Sequence, residues 1–206
     1  MKILRLLPYT FISWMLSGVL IIILFPDIVH AHMNRGSGGF LAGLSHPVLG
    51  FDHFLAMLSV GILSAQMGGR AIWTVPLTFV SVMAVGGFTG IKGIGLPGVE
   101  YGIALSVSAL GISLAMEKKM PTIWAMMFVG FFAVFHGHAH GTEMPGIAKP
   151  LFYALGFVLG TAGIHLTGVL VGIISSRTVK GSELLRFIGA GIAGIGIYIL
   201  YIIIKY

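Results

Sequence analysis

Residues 184–204 read LLRFIGAGIAGIGIYILYIII, a stretch that carries Arg186 as its sole charge. A helix needs about 20 mostly apolar residues to cross the hydrocarbon layer of a bilayer, and this stretch is long enough. Comparable apolar runs lie at about residues 40–66, 72–91, 98–116, 122–142 and 151–174. The sequence therefore predicts an all-α membrane protein, a bundle of about six transmembrane helices.

Composition supports the membrane class. The chain is 57% hydrophobic and only 9% charged, and its mean hydropathy is +1.02. A water-soluble fold of this size could not bury so much apolar surface in one core, because surface-to-volume scaling forbids it. The chain has no cysteine, which excludes disulfides, thiolate metal sites and thiol nucleophiles.

The formal net charge of +6 comes from scattered loop residues, with Lys118-Lys119 as the only adjacent pair in the predicted loops. Single basic residues between spans are typical of proteins that are oriented in a bilayer, whereas nucleic-acid binding requires a basic patch. The expected macromolecular environment is therefore the lipid bilayer, and no nucleic acid is expected as a partner.

Residues 1–31 have the features of a secretory signal peptide. Lys2 and Arg5 precede the apolar run 6–25, and Val29-His30-Ala31 is an acceptable cleavage site. Cleavage leaves residues 32–206 as a single polytopic domain of the inner membrane with a periplasmic N-terminus. Because the apolar run is long for a signal, an uncleaved anchor helix is the alternative.

Ionisable residues inside membrane spans are costly and mark functional sites by default. Here they are concentrated in two segments, HPVLGFDHFLAM (46–57) and FHGHAHGTEMP (135–145). The first span enters from outside and the fourth runs outward, so both segments are expected in the outer half of the membrane. The candidate metal ligands in these segments are His46, Asp52, His53, His136, His140 and Glu143, with His138 as a secondary candidate.

Spacing along a continuous helix predicts two layers of ligands. His46 and His53 are seven positions apart, which is about 10.5 Å along a helix axis. That separation is too large for both to bind one ion through metal–nitrogen bonds of about 2.1 Å. We expect an outer layer of His46 with His140 or Glu143, and an inner layer that combines three residues, Asp52, His53 and His136. Two weak sites in series suit transport, since an ion must leave as well as enter.

Four side chains have more than one interpretation. Asp52 is either a ligand or a hydrogen-bond partner that fixes the tautomer of His53. His138 faces away from His136 and His140 on a helical wheel and is interpreted as peripheral or pore-lining. His32 could chelate a metal together with the new α-amino group if cleavage occurs. His165 is either a hydrogen-bonded buried histidine or a residue lower on the pathway.

The ligand types limit which metal ions the site can bind. Imidazole and carboxylate without thiolate suit nickel, cobalt, zinc or divalent iron, and they argue against copper(I), magnesium and calcium. The sequence thus predicts a secondary transporter of a divalent transition metal ion and not an enzyme.

At these residues the chain resembles the HupE/UreJ family of nickel and cobalt permeases. One family signature, a histidine, five residues and Asp-His, is matched by His46 and Asp52-His53, and the other, Phe-His-Gly-X-Ala/Val-His-Gly-X-Glu, is matched by residues 135–143. The resemblance implies uptake of Ni²⁺, or of Co²⁺, from the periplasm through the six candidate ligands. It also implies a link to the maturation of nickel enzymes or to corrinoid synthesis.

The chain departs from the family at residues 32–35, which contain a single histidine where members often have several. No nucleotide-binding GxxxxGK[ST] loop is present, so neither ATP nor another cofactor is expected.

Two other functions also fit histidines and acids in membrane spans. One is a metal-dependent intramembrane hydrolase in which Glu143 or Asp52 activates water, although the chain has no HExxH motif. The other is a haem-binding redox subunit whose iron is held axially by histidines from two spans.

Small residues four apart predict close helix packing in lipid. Such pairs are Gly86/Gly90, Gly156/Gly160, Gly168/Gly172 and Ala190/Gly194.

Overall fold

A computed structural model describes residues 39–117, 119–144 and 150–206. The predicted signal peptide and His32 lie outside these residues. Within the described ranges the chain forms seven α-helices and no strand, which confirms the all-α prediction. The helices are α1 (Phe40–Leu49), α2 (Phe51–Met67), α3 (Ala71–Ile91), α4 (Val99–Met116), α5 (Thr122–Thr142), α6 (Pro150–Ser175) and α7 (Val179–Lys205).

Five of these helices, α3 to α7, are long and apolar enough to cross a membrane, and the pair α1–α2 gives a sixth span if its two helices are counted together. The predicted spans therefore match the observed helices closely. The last helix begins at Val179 rather than at 184 because Thr178 caps it. The hydroxyl oxygen of Thr178 accepts a hydrogen bond from the backbone N–H of Gly181 at 3.1 Å.

The first span is broken, and the prediction of one continuous helix over 40–66 is wrong at this point. The axes of α1 and α2 differ by 85°, and Gly50 between them is extended, with φ −82° and ψ 105°. Pro47 weakens the end of α1 because it has no N–H to donate to the carbonyl of Gly43. At 1.5 Å per residue, α1 and α2 are about 15 and 25 Å long, so neither alone crosses a core of about 30 Å.

Glycines bring α3 and α5 into backbone contact. In α5, a Cβ atom at Gly137 would overlap the carbonyl of Met83 in α3, and one at Gly141 would overlap the carbonyl of Gly87. The reverse holds at Gly90, where a Cβ would overlap the carbonyl of His138. The close packing predicted for the Gly86/Gly90 face is confirmed, and it fixes the depth of the histidines on α5 relative to α3.

Helix α6 packs against both halves of the broken span. A Cβ at Gly156 would overlap the carbonyl of Phe40 in α1, and one at Gly168 the carbonyl of Leu58 in α2. These two predicted glycine faces are confirmed. α6 therefore supports α1 and α2 on either side of the bend between them.

Within the described residues, the predicted packing of the Ala190/Gly194 face of α7 is wrong. None of their atoms lies within 4 Å of a Cβ built at Gly194, and Ala190 is exposed. The face of α7 that packs on α4 carries Gly189, Ala193 and Gly196, since added Cβ atoms at Gly189 and Gly196 would overlap Ala115 and Ser108 of α4. The same spacing of small residues recurs along α7, so spacing alone did not identify the buried face.

The distribution of side chains is that of a membrane bundle. Large apolar residues face outward, for example Trp73, Leu77 and Phe187, which are 66%, 65% and 75% exposed. Five of the six described histidines, by contrast, are buried among the helices, with His136 fully so. Since the polar groups lie inside and the apolar groups outside, a functional site is expected in the interior of the bundle.

Candidate metal centre

Four imidazole rings form a continuous row between α1, α2 and α5. The ring of His46 lies 4.8 Å from that of His140, His140 lies 4.2 Å from His53, and His53 lies 4.7 Å from His136, measured between centroids. The two sequence segments that carry these residues are therefore in direct contact at one depth, as span counting predicts.

The end of the row at His46 includes a carboxylate. Nε2 of His46 lies 3.1 Å from Oε2 of Glu143, and Nδ1 of His140 lies 3.9 Å from the same oxygen. One donor atom from each of these residues falls within 4.8 Å of the others. Donors on opposite sides of an ion are about 4.2 Å apart, twice a bond of about 2.1 Å. Small side-chain movements would therefore close this group around an ion.

Glu143 lies just beyond the end of α5 and is half exposed. The hydrogen bond from His46 lowers the pKa of the Glu143 carboxyl below its ordinary value, so that the group is ionised at neutral pH. A negative charge at this end of the row attracts cations.

Within the row, Asp52 fixes the orientation of His53. Oδ1 of Asp52 accepts hydrogen bonds from the backbone N–H of His53 at 2.8 Å and from its ring Nδ1–H at 2.9 Å. The proton on Nδ1 leaves Nε2 with its lone pair, and Nε2 is buried with no hydrogen-bond partner in the described part of the chain. Metal-binding histidines commonly have such a carboxylate partner on their second nitrogen. The geometry favours the tautomer-fixing interpretation of Asp52 over that of a ligand.

Ser106 of α4 has the same effect on His136. Its hydroxyl donates to the carbonyl of Ile103 at 2.7 Å, and the hydroxyl has only one proton. The Ser106 oxygen lies 2.7 Å from Nε2 of His136, and it must therefore accept a hydrogen bond from the Nε2–H group. Nδ1 of His136 then carries the lone pair, and among the described residues it too is buried without a partner.

The predicted separation into two layers needs correction. The residues predicted for each layer do lie next to one another. His46 contacts His140 and Glu143, and His53 contacts Asp52 and His136. The distance between the layers is wrong, because the 85° bend at Gly50 invalidates the height calculated along a straight helix. Contact between His140 and His53 joins the two groups into one row.

Two further histidines lie apart from the row. His138 is buried, and its Nε2–H donates to the carbonyl of Ile94 in the α3–α4 connection at 2.7 Å. This hydrogen bond identifies it as a brace for that connection, in agreement with its direction away from His136 and His140. His165 lies deeper in α6 and contacts Phe79.

Sequence reasoning missed four side chains around the row. The ring of Tyr153 lies 5.8 Å from that of His46, and the ring of Phe157 lies 4.4 Å from that of His140. Phe79 lies 5.6 Å from His136, and Ser106 fixes the tautomer of His136. Phenylalanine and serine are common in spans, so their types gave no signal. The four-residue spacing from Tyr153 through Phe157 to His165 on α6 could have indicated a shared face.

Comparison with known proteins identifies the family of this chain. The family model described as HupE / UreJ protein matches residues 19–199. The chain belongs to the HupE/UreJ family. A curated relative, Protein HupE of Rhizobium leguminosarum bv. viciae, is 45% identical over 166 residues, which cover 81% of this chain and 86% of the relative. No solved structure matches the chain significantly. HupE/UreJ proteins are membrane transporters rather than enzymes, and this member is therefore not an enzyme.

Proposed function

We propose that this HupE/UreJ protein is a permease that takes up a divalent transition metal ion, with Ni²⁺ as the first expected cargo and Co²⁺ as the second. The observation that carries the proposal is the row of four contacting imidazoles between α1, α2 and α5. Its inner members present buried ring nitrogens without hydrogen-bond partners in the described residues. Glu143 contacts His46 at one end of the row, and Asp52 contacts His53 within it.

This arrangement suits movement of an ion better than permanent storage. Neighbouring rings 4.2–4.8 Å apart allow an ion to exchange one imidazole for the next without losing all its ligands. Neutral imidazoles bind nickel and cobalt well, and the two carboxylates offset part of the ion's double charge inside the bundle. Histidine and carboxylate ligands hold such ions less tightly than thiolates do, which favours release.

The family relationship supports the choice of cargo and direction. The match to the HupE/UreJ family spans both segments that build the row, residues 46–53 and 135–143. We infer uptake from the periplasm across the inner membrane, driven by a gradient or by a partner and not by ATP, with the ion passed to nickel-enzyme or corrinoid maturation.

The row of imidazoles does not suit haem. Axial histidines face each other across a porphyrin, which separates their rings. Here the rings touch edge to face, for example His53 and His136 at 86°.

The test is uptake of radioactive nickel by the purified full chain in proteoliposomes. We expect His53→Ala and His136→Ala to abolish uptake, because each removes a ligand nitrogen from the row. His138→Gln is the matched control, since it replaces a buried histidine of the same helix outside the row and keeps a donor for Ile94. Undiminished uptake by either alanine variant would contradict the proposal. Competition by cobalt and by zinc then ranks the cargo.

A further inference from the structure

His165 is an unexplained polar group in the middle of α6. Its side chain is buried, and neither ring nitrogen has a hydrogen-bond partner among the described residues. The interpretation of His165 as a hydrogen-bonded core residue therefore has no support. Burying a polar group without a partner costs on the order of 1–3 kcal/mol. Ionisable residues at membrane depth are functional by default.

One face of α6 follows the row of imidazoles and continues beyond it. Tyr153, Phe157, Thr161 and His165 are four residues apart and all buried. Tyr153 contacts His46, and Phe157 contacts His140. His165 comes eight positions after Phe157, so it lies about 12 Å deeper along the helix.

Helix α2 gives the same depth independently. A Cβ at Gly61 would overlap the carbonyl of His165, so these two residues lie at one level. Gly61 comes eight positions after His53, again about 12 Å deeper. Both helices thus place His165 one step inward from the row.

A single aromatic ring separates His165 from the row. Phe79 of α3 is fully buried, and its ring centroid lies 5.6 Å from that of His136 and 5.2 Å from that of His165. Two buried hydroxyls near this level, of Ser59 on α2 and Thr161 on α6, also have no partner in the described residues. The interior below the row therefore contains further groups that can bind a cation, with an aromatic face between them and the row.

We propose that His165 is the ligand of a separate inner site for the divalent transition metal ion, which the ion reaches from His136 by passing Phe79. This inference rests on the proposed permease function. An inner site shortens the distance over which an ion would otherwise have no protein ligand on its way out of the row.

The absence of cysteine from the whole chain makes a direct test available. His165→Cys places a unique thiol at the proposed site, and Co²⁺ bound by a thiolate gives an intense near-ultraviolet charge-transfer band. We expect this band when Co²⁺ is added to the purified full-length variant. Ile164→Cys is the matched control, because it introduces a buried thiol at the neighbouring position and is expected to give no band.

Uptake provides the second measurement. His165→Phe keeps an aromatic ring but removes both ring nitrogens, and we expect it to lower nickel uptake at least tenfold while nickel affinity of the purified protein stays within twofold of wild type. Ile164→Val is expected to transport normally.

The outcomes separate the inner site from the permease function. If wild type takes up nickel but His165→Cys gives no band and His165→Phe transports normally, the inner site is wrong and the permease function stands. A band of equal strength from Ile164→Cys also overturns the inner site, because the metal then reaches thiols without selection. If wild type neither binds nor takes up nickel, both proposals are wrong. If His165→Cys fails to fold, His165→Phe alone decides.

Discussion

At the scale of single residues, the inner part of the row depends on which ring nitrogen carries the proton. Asp52 holds a proton on Nδ1 of His53, and Ser106 holds one on Nε2 of His136. The opposite nitrogen of each ring is then free for an ion. Neither Asp52 nor Ser106 needs to touch the ion for its removal to weaken binding.

Ser106→Ala removes the acceptor of the His136 Nε2–H bond and frees the ring to change tautomer. We expect affinity for nickel to fall by about tenfold to a hundredfold, the usual range for such supporting partners. Equilibrium binding of radioactive nickel to the purified protein measures the change. Ser108→Ala is the control, because Ser108 is a buried serine of the same helix whose hydroxyl bonds only to the carbonyl of Ala104. Equal losses in both variants would show a general effect on α4.

Substitution of Asp52 distinguishes its two interpretations. If Asp52 only orients His53, Asp52→Asn keeps an acceptor oxygen and is expected to retain more affinity for nickel than Asp52→Ala, whose loss should again be about tenfold to a hundredfold. If Asp52 is a ligand, both variants lose binding to the same extent, since the charged oxygen is absent from each. The binding assay used for Ser106→Ala applies here.

At the scale of secondary-structure elements, two features place the histidines. The bend at Gly50 turns α1 relative to α2, so that His46 and His53 both reach α5. Backbone contact between α3 and α5 then fixes α5 against the rest of the bundle. Broken helices with ligands at the break are a common way to build an ion site inside a membrane.

Gly137→Ala is expected to destabilise the bundle, because its Cβ would overlap the carbonyl of Met83. Forcing α3 and α5 apart should lower the free energy of unfolding by about 1–3 kcal/mol and move His136 and His140 away from their neighbours. The measurements are Tm in detergent and nickel uptake, and both should fall. Gly163→Ala serves as the control, since no atom of the described residues lies within 4 Å of its added Cβ. An unchanged Tm for Gly137→Ala would contradict the tight contact.

At the scale of the whole molecule, the row of imidazoles lies toward one end of the bundle, next to Glu143 at the end of α5. The function depends on which side of the membrane that end faces. From the charges of the predicted loops and from the predicted signal peptide, we expect that end to face the periplasm.

Single cysteines in the cysteine-free chain test this orientation. Gly95→Cys lies in the α3–α4 connection on the same side as Glu143, and Ser176→Cys lies in the α6–α7 connection on the other side. We expect a membrane-impermeant thiol reagent applied from the periplasm to label position 95 at once and position 176 only after the membrane is permeabilised. The reverse pattern would mean that the row opens to the cytoplasm.

The sequence by itself determined the helices and the candidate ligands. Long apolar runs can only be spans, and histidines or acids within them are too costly to be incidental, so residues 46–53 and 135–143 were identified without coordinates. Tertiary structure decided how these residues meet. The bend at Gly50, the buried face of α7, the hydrogen bond from His136 to Ser106 and the depth of His165 each depend on contacts between distant segments. Helical periodicity describes one helix at a time, and it carries no information about which neighbour that helix will meet.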